Sequence, residues 1–152
     1  MPARQPDPQR LLAALNEQRA ALGEMALMQP PLAAPALGRA CAQAVLAAAD
    51  AGLEPTRDAL RAAVRFLLDV LAERAPGRAV EVRVPPLAAV QAIGGPRHTR
   101  GTPPNVVETD PVTWVRLATG RLSWAEATSA GRIHASGPRA DLSPYMPVLP
   151  LD

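Results

Sequence analysis

The chain has 152 residues, a formal net charge of +2 and 48% hydrophobic residues, but only 3% aromatic residues. This length suits one compact domain with its own core. The small net charge, with no basic block and no interleaved aromatic side chains, argues against nucleic-acid binding. Cys41 is the single cysteine, which excludes an intramolecular disulfide and predicts a buried, unreactive thiol on an alanine-rich helix.

The sequence carries neither of the two usual membrane signals. No stretch reaches the ~18 consecutive apolar residues of a membrane-spanning helix. The first residues, Met1 to Pro6, also lack the apolar run of a signal peptide. We therefore expect a cytoplasmic protein without an integral membrane segment.

The N-terminal half is predicted to form three helices. The first begins at Asp7-Pro8 and ends at Gly23, because an aspartate cap followed by proline is a typical helix start. Two prolines interrupt the following segment, and the second helix is predicted over residues 35–50. The third runs from residues 54–56 to about residue 74, with apolar residues recurring at helical spacing along one side.

The middle of the chain is predicted to form strands. Val80–Val84 alternates valine with charged residues, which is typical of a half-buried strand. Further strands are predicted over residues 87–93, 106–108 and 132–136. Because helices precede and follow these strands, we expect the α+β class with an antiparallel or mixed sheet.

Two short helices are predicted between the last two strands. Asp110-Pro111 begins the first of them, and Gly120 ends it. Ser123 and Glu126 have the spacing of a capping box, so they begin the second, which ends at Gly131. A last short helix is predicted with Ser143 as its cap.

Residues 114–137, with the order W-x-x-L-A-T-G-x-L-S-W-x-x-A-x-x-x-G-x-I-x-x-S-G, resemble the C-terminal signature of the sterol carrier protein fold. Residues 75–149 are more closely similar to a bacterial branch of sterol carrier family proteins of unknown function. The resemblance implies N-terminal helices, a small, mostly antiparallel sheet and short C-terminal helices. We predict a single domain over residues 1–152, in which 1–53 form an N-terminal helical extension and 54–149 the sterol-carrier-like core.

The segment 94–110 is rich in glycine, proline and polar residues, and rigid polar loops commonly carry binding sites. Two arginines near a histidine suit an anionic head group through charge-assisted hydrogen bonds. The candidate residues of this polar loop are Arg97, His98, Arg100, Asn105 and Glu108. In the alternative interpretation, Arg100 pairs with Glu108 or Asp110 and only pins the loop.

The resemblance also implies an apolar ligand tunnel between the sheet and the C-terminal helices. Its candidate walls are Trp114, Leu117, Leu122, Ile133, Leu142 and Met146. A cavity with few polar groups is the form expected of a lipid site. In the alternative interpretation, Trp114 is a core anchor without a ligand.

We therefore predict a small binding protein for a fatty-acyl or other lipid-like molecule, with no cofactor and more suited to binding than to catalysis. A first alternative is a non-catalytic interaction or structural module with a collapsed cavity, whose N-terminal helices contact a protein partner or a second copy. A second alternative is an enzyme that uses His98 and Glu108 as an acid–base pair. The two histidines, His98 and His134, lack the spacing of a metal site.

Overall fold

The computed structural model describes residues 5–28, 33–95 and 105–152. Within these ranges the chain forms five α-helices, four β-strands and one short 3-10 helix, which is the α+β class that the sequence predicts. The chain divides into two compact units, Met1–Phe66 (unit 1) and Leu67–Asp152 (unit 2). The organisation into a single domain with an extension over residues 1–53 stays a prediction. No helix in the described ranges is long and apolar enough to cross a membrane.

Three helices follow one another in the first half of the chain, as predicted. They are α1 (Pro8–Ala21), α2 (Ala34–Asp50) and α3 (Arg57–Arg74), and the boundary between the units falls within α3. At the start of α1, the carboxylate of Asp7 accepts a hydrogen bond of 3.0 Å from the Gln9 N–H. After α1, Gly23 adopts a left-handed φ of +78°, which a residue without a Cβ adopts at little cost.

Small residues shape the core of unit 1. An added Cβ on Gly38 of α2 would lie 2.6 Å from Cγ of Phe66, so this glycine makes room for the aromatic ring. Cys41, also on α2, is fully buried, and its thiol lies 3.8 Å from the Leu11 carbonyl oxygen. The prediction of a buried thiol is confirmed, and burial raises the pKa of the Cys41 thiol to about 11, which keeps it protonated at neutral pH.

Unit 2 contains a four-stranded mixed sheet. Its strands are β1 (Val80–Val84), β2 (Ala88–Ala92), β3 (Val106–Thr109) and β4 (Ile133–Ser136), in the spatial order β2-β1-β3-β4. The β1–β2 and β3–β4 pairs are antiparallel, whereas β1 and β3 are parallel. The sheet is therefore mostly antiparallel, as expected, and β4 lies at one of its edges.

The alternation in β1 separates the two faces of the sheet. Val80, Val82 and Val84 are buried, whereas Glu81 and Arg83 are only half-buried. Paired residues on neighbouring strands share a face, so Val107, opposite Val82, belongs to the same buried face. We call this the inner face, and the face that carries Glu81 and Arg83 the outer face.

The helices α4 (Pro111–Thr119) and α5 (Trp124–Ser129) begin as the sequence predicts. The carboxylate of Asp110 accepts a bond of 3.1 Å from the Thr113 N–H, and Gly120 ends α4 with a φ of +84°. At α5 both bonds of the capping box form: Ser123 Oγ accepts from the Glu126 N–H (3.1 Å), and the Glu126 carboxylate accepts from the Ser123 N–H (2.9 Å).

The C-terminal segment differs from the prediction in the position of Ser143. Ser143 is the first residue of a 3-10 helix (Ser143–Tyr145), not its cap. The Asp141 carboxylate instead accepts a bond of 2.9 Å from the Ser143 N–H, which an aspartate two residues earlier is well placed to do. The tail then donates to the last carbonyls of α4, from the Leu149 N–H to Ala118 and from the Leu151 N–H to Thr119. These bonds satisfy acceptors that a helix end leaves unpaired.

Candidate functional site

Polar and charged side chains from three adjacent strands lie in one row across the outer face of the sheet. Arg83 of β1 is paired in register with Glu108 of β3, and Glu108 is paired with His134 of β4. Paired positions on neighbouring strands lie about 5 Å apart, so Glu108 is a direct neighbour of both Arg83 and His134. The row therefore brings one carboxylate between a guanidinium and an imidazole.

Arg83 also has a partner on its own strand. Its Nε donates a hydrogen bond of 2.6 Å to the Glu81 carboxylate. This bond, and then the negative charges of Glu81 and Glu108, raise the pKa of Arg83 above its ordinary value, so the guanidinium stays positively charged. Because the Arg83 side chain is 40% exposed, the ion pair adds little to stability. Its effect is to fix the position of a charge on the outer face.

An open groove of about 360 Å³ lies at the end of this row. Its lining residues are Pro85, Glu108, Thr109, Asp110, Gly131, Arg132 and His134. Thr109 Oγ1 donates a bond of 2.8 Å to the Arg132 carbonyl, which fixes two walls of the groove to each other. The carboxylate of Glu108 accepts hydrogen bonds, the guanidinium of Arg132 donates them, and the imidazole of His134 can do both. The groove is thus suited to a small polar group rather than to a hydrocarbon chain.

Of the five residues of the predicted polar loop, the structure describes Asn105 and Glu108. Arg97, His98 and Arg100 lie outside the described residues, and so do the proposed pairing of Arg100 and the His98–Glu108 acid–base pair. Glu108 lines the groove. Asn105 is buried, and its side chain holds the fold together: Nδ2 donates to the Ala79 carbonyl (2.8 Å), and Oδ1 accepts from the Arg139 N–H (2.7 Å).

The six predicted apolar wall residues divide into two groups. Trp114 and Leu117 are 1% exposed and Leu142 is fully buried, so these three belong to the core of unit 2. The other three, Leu122, Ile133 and Met146, are half-buried and offer apolar surface to solvent. Trp114 has the burial that its interpretation as a core anchor requires.

The inner face of the sheet becomes more accessible towards β4. Val82 and Val107 are buried, but Ala135, which pairs with Val107, is exposed. Likewise Ile133 is half-buried although its partner Thr109 is buried. The apolar face that is closed at β1 and β3 is therefore partly open at the β4 edge.

The comparison with protein families identifies a match in the second part of the chain. A sequence model of the family described as bacterial SCP ortholog, where SCP denotes sterol carrier protein, matches residues 56–148. The matched stretch covers more than half of the chain. The chain belongs to this family. No curated protein matches it. The family region contains the whole sheet, the groove and the half-buried apolar residues, whereas α1 and α2 lie before it.

Several groove residues were interpreted from sequence in other roles. Asp110 is predicted as a helix cap, which the structure confirms, and His134 is exposed on β4. Their meeting with Glu108 and Arg132 was not predicted, because it depends on the pairing of β3 with β4. The sequence does contain one indication of this arrangement. Side chains of a strand alternate between the two faces of a sheet, so Arg83, Glu108 and His134 fall on one face once the register of the strands is known.

Proposed function

We propose that this protein is a small cytoplasmic binding protein that holds a fatty-acyl or other lipid-like molecule at the β4 edge of unit 2. Membership of the bacterial sterol carrier family supports a hydrophobic ligand. The observation that carries the proposal is the decrease in burial across the inner face, from buried Val107 on β3 to exposed Ala135 on β4. Apolar surface left open beside a closed core gains free energy when an apolar molecule covers it.

The edge position of β4 also supports a ligand with one polar end. Consecutive residues of a strand point to opposite faces, so Ile133 belongs to the inner face and His134 to the outer face. An amphiphilic molecule at this edge would cover Ile133 with its chain and reach the groove with its head. Arg132 and His134 would then donate hydrogen bonds to a carboxylate head, and Glu108 would hold the imidazole beside it.

Displacement of a fluorescent fatty acid in solution tests this proposal. Replacing Ile133 with Ser removes apolar surface at the proposed contact, and we expect the affinity to fall about tenfold. Val90→Ser is the matched control, because Val90 is also half-buried, pairs with inner-face Val82 and lies on the opposite edge strand. We expect this control to bind as the unchanged protein does, with both variants checked for folding by circular dichroism.

The polar end has its own test. The Arg132→Gln variant should lose several-fold in affinity for a fatty acid but should keep its affinity for the matching fatty alcohol, which has no charge to pair. The absence of saturable binding by the unchanged protein, together with no bound lipid in native mass spectrometry, would reject the proposal. That result would favour the non-catalytic module with a collapsed cavity.

A further inference from the structure

The segment between α1 and α2 exposes two methionine side chains. In this loop, residues 24–28, Met25 is 84% exposed and Met28 is 87% exposed. They are the most exposed large apolar residues in the described part of the chain. Leu27 between them is half-buried and ties the loop to its own unit.

The backbone of this loop is held by polar side chains of α1. Asn16 makes two bonds to Leu27: its Oδ1 accepts from the Leu27 N–H (2.9 Å), and its Nδ2 donates to the Leu27 carbonyl (3.4 Å). Arg19 Nε donates to the Met25 carbonyl (2.9 Å). The Met25 carbonyl and both backbone groups of Leu27 thus already have protein partners.

The charges beside the methionines are also neutralised within the protein. Arg19 Nη1 lies 2.8 Å from a carboxylate oxygen of Glu24. In addition, the Glu24 N–H donates a bond of 2.8 Å to the Arg19 carbonyl. The base of the loop therefore carries an ion pair and no excess charge from these two residues, which matches an uncharged surface rather than a strongly anionic one.

We propose that this loop inserts Met25 and Met28 into the surface of a lipid bilayer. Backbone groups that enter an apolar medium must have internal partners, and here Arg19 supplies one to the Met25 carbonyl and Asn16 supplies two to Leu27. Unbranched methionine side chains adapt to a fluid environment without a complementary pocket. The apolar area of two side chains is also far smaller than the ~800 Å² that each partner buries in a stable protein complex.

The inference rests on the proposed function in one respect. A ligand with a long apolar chain is held mainly in membranes, so a protein that carries it must reach a bilayer to load or release it. Insertion of only two side chains gives weak and reversible binding, which suits a carrier. Because the loop is neutralised by the Arg19–Glu24 pair, we expect binding to phosphatidylcholine vesicles that changes little with salt or with added phosphatidylglycerol.

Vesicle co-sedimentation of the full chain tests this proposal. Met25→Ser and Met28→Ser should each lower the partition coefficient about tenfold, and the double variant about a hundredfold. Leu53→Ser is the matched control: Leu53 is another exposed apolar residue of unit 1, at 46% exposure, but lies outside the loop. It should partition as the unchanged protein does. Binding of a soluble fluorescent fatty acid, measured without vesicles, should be the same in all four variants.

A site-specific probe gives a second measurement. The Met28→Cys variant can be labelled with an environment-sensitive NBD fluorophore at the introduced thiol, because Cys41 is buried and its raised pKa keeps it protonated. We expect the emission to shift to the blue when vesicles are added. The same label on a Leu53→Cys variant should not shift.

Three outcomes would overturn the inference. The first is an unchanged protein that binds the fluorescent fatty acid but does not sediment with vesicles, which would leave the proposed function intact. The second is equal sedimentation of the unchanged protein and the double methionine variant. The third is self-association that the double variant loses, without vesicle binding, which would assign the loop to contact with a second copy. Failure of fatty-acid binding with normal vesicle partition would instead reject the proposed function alone.

Discussion

In unit 1 a loop presents apolar side chains to solvent, whereas in unit 2 a sheet face presents polar and charged ones. The loop carries Met25 and Met28, and the outer face carries Arg83, Glu108 and His134. The family match includes the outer face but begins only at residue 56, after the loop. The two surfaces therefore need separate explanations, and family membership bears only on the outer face of the sheet.

The cores of the two units also differ. In unit 1, Gly38 and a series of alanines let helices approach closely, and the aromatic ring of Phe66 fills the space beside the glycine. In unit 2, the buried face of the sheet consists mainly of valines and the largest buried side chain is Trp114. Unit 1 should therefore be sensitive to added volume, and unit 2 to removed volume.

The largest effect is expected from removal of volume in unit 2. Trp114→Ala should lower the free energy of unfolding by about 4 kcal/mol, because it leaves a cavity where a fully buried indole lay. Trp124→Ala makes the same chemical change at a half-buried position of α5 and should cost about 1–2 kcal/mol. Urea denaturation measures both, and equal losses would contradict the assignment of Trp114 to the core.

Addition of volume in unit 1 should have the next largest effect. Gly38→Val should cost about 2–3 kcal/mol, since its side chain would collide with the ring of Phe66. Ala47→Val, at an exposed position of the same helix, should cost less than about 1 kcal/mol and serves as the control. A Phe66→Leu change should restore part of the loss in the Gly38→Val background but not in the Ala47→Val background. Absence of this rescue would show that the contact does not set the helix spacing.

Substitution of Asn105 in unit 2 tests whether its side chain supports the fold or binds the ligand. Asn105→Ala removes the partners of the Ala79 carbonyl and the Arg139 N–H, and should cost about 2 kcal/mol. If the side chain only supports the fold, fatty-acid affinity measured well below the melting temperature stays unchanged. A loss of affinity with unchanged stability would instead assign Asn105 to the ligand.

The smallest effect is expected at the capping box of α5. Ser123→Ala should cost about 1 kcal/mol. The backbone and side-chain bonds with Ser123 lower the pKa of Glu126 below its ordinary value of 4.5. A carboxyl whose pKa is lowered on folding stabilises the protein above its unfolded pKa, and this contribution is lost as the pH falls through the folded pKa.

Glu126→Gln tests that pH dependence. Glutamine keeps the hydrogen-bonding shape without the charge, so the unchanged protein should be more stable than this variant at neutral pH. The difference between them should disappear as the pH falls below the folded pKa of Glu126. Thermal melts at several pH values measure it, and a difference that grows in acid would have the wrong sign.

Local patterns predicted most elements of the fold. The alternation of Val80–Val84, the Asp110 cap and the capping box at Ser123 each depend on neighbouring residues, and each is confirmed. The prediction of Ser143 as a cap was wrong: Ser143 is the first residue of the 3-10 helix, and its N–H donates to the carboxylate of Asp141. The exposure of Met25 was not predicted. It depends on hydrogen bonds of Asn16 and Arg19 of α1 with the loop that follows this helix.

The candidate site could be predicted only in part. Glu108 was identified from the polar composition of its segment, but its neighbours Arg83 and His134 follow from one parallel and one antiparallel pairing. Such registers are set by contacts between distant parts of the chain, which a single sequence does not reveal. For the same reason the partly open inner face at Ile133 and Ala135 became visible only in the structure.

The most direct test of the central claim is a titration of the ¹⁵N-labelled protein with a fatty acid, followed by NMR. The proposed function predicts saturable shift changes at β4, at half-buried Leu122 and Met146, and at the groove residues Glu108 and Arg132. Backbone signals of α1 and α2 should change little. A titration with no saturable changes, or with changes confined to unit 1, would contradict a hydrophobic ligand at the β4 edge.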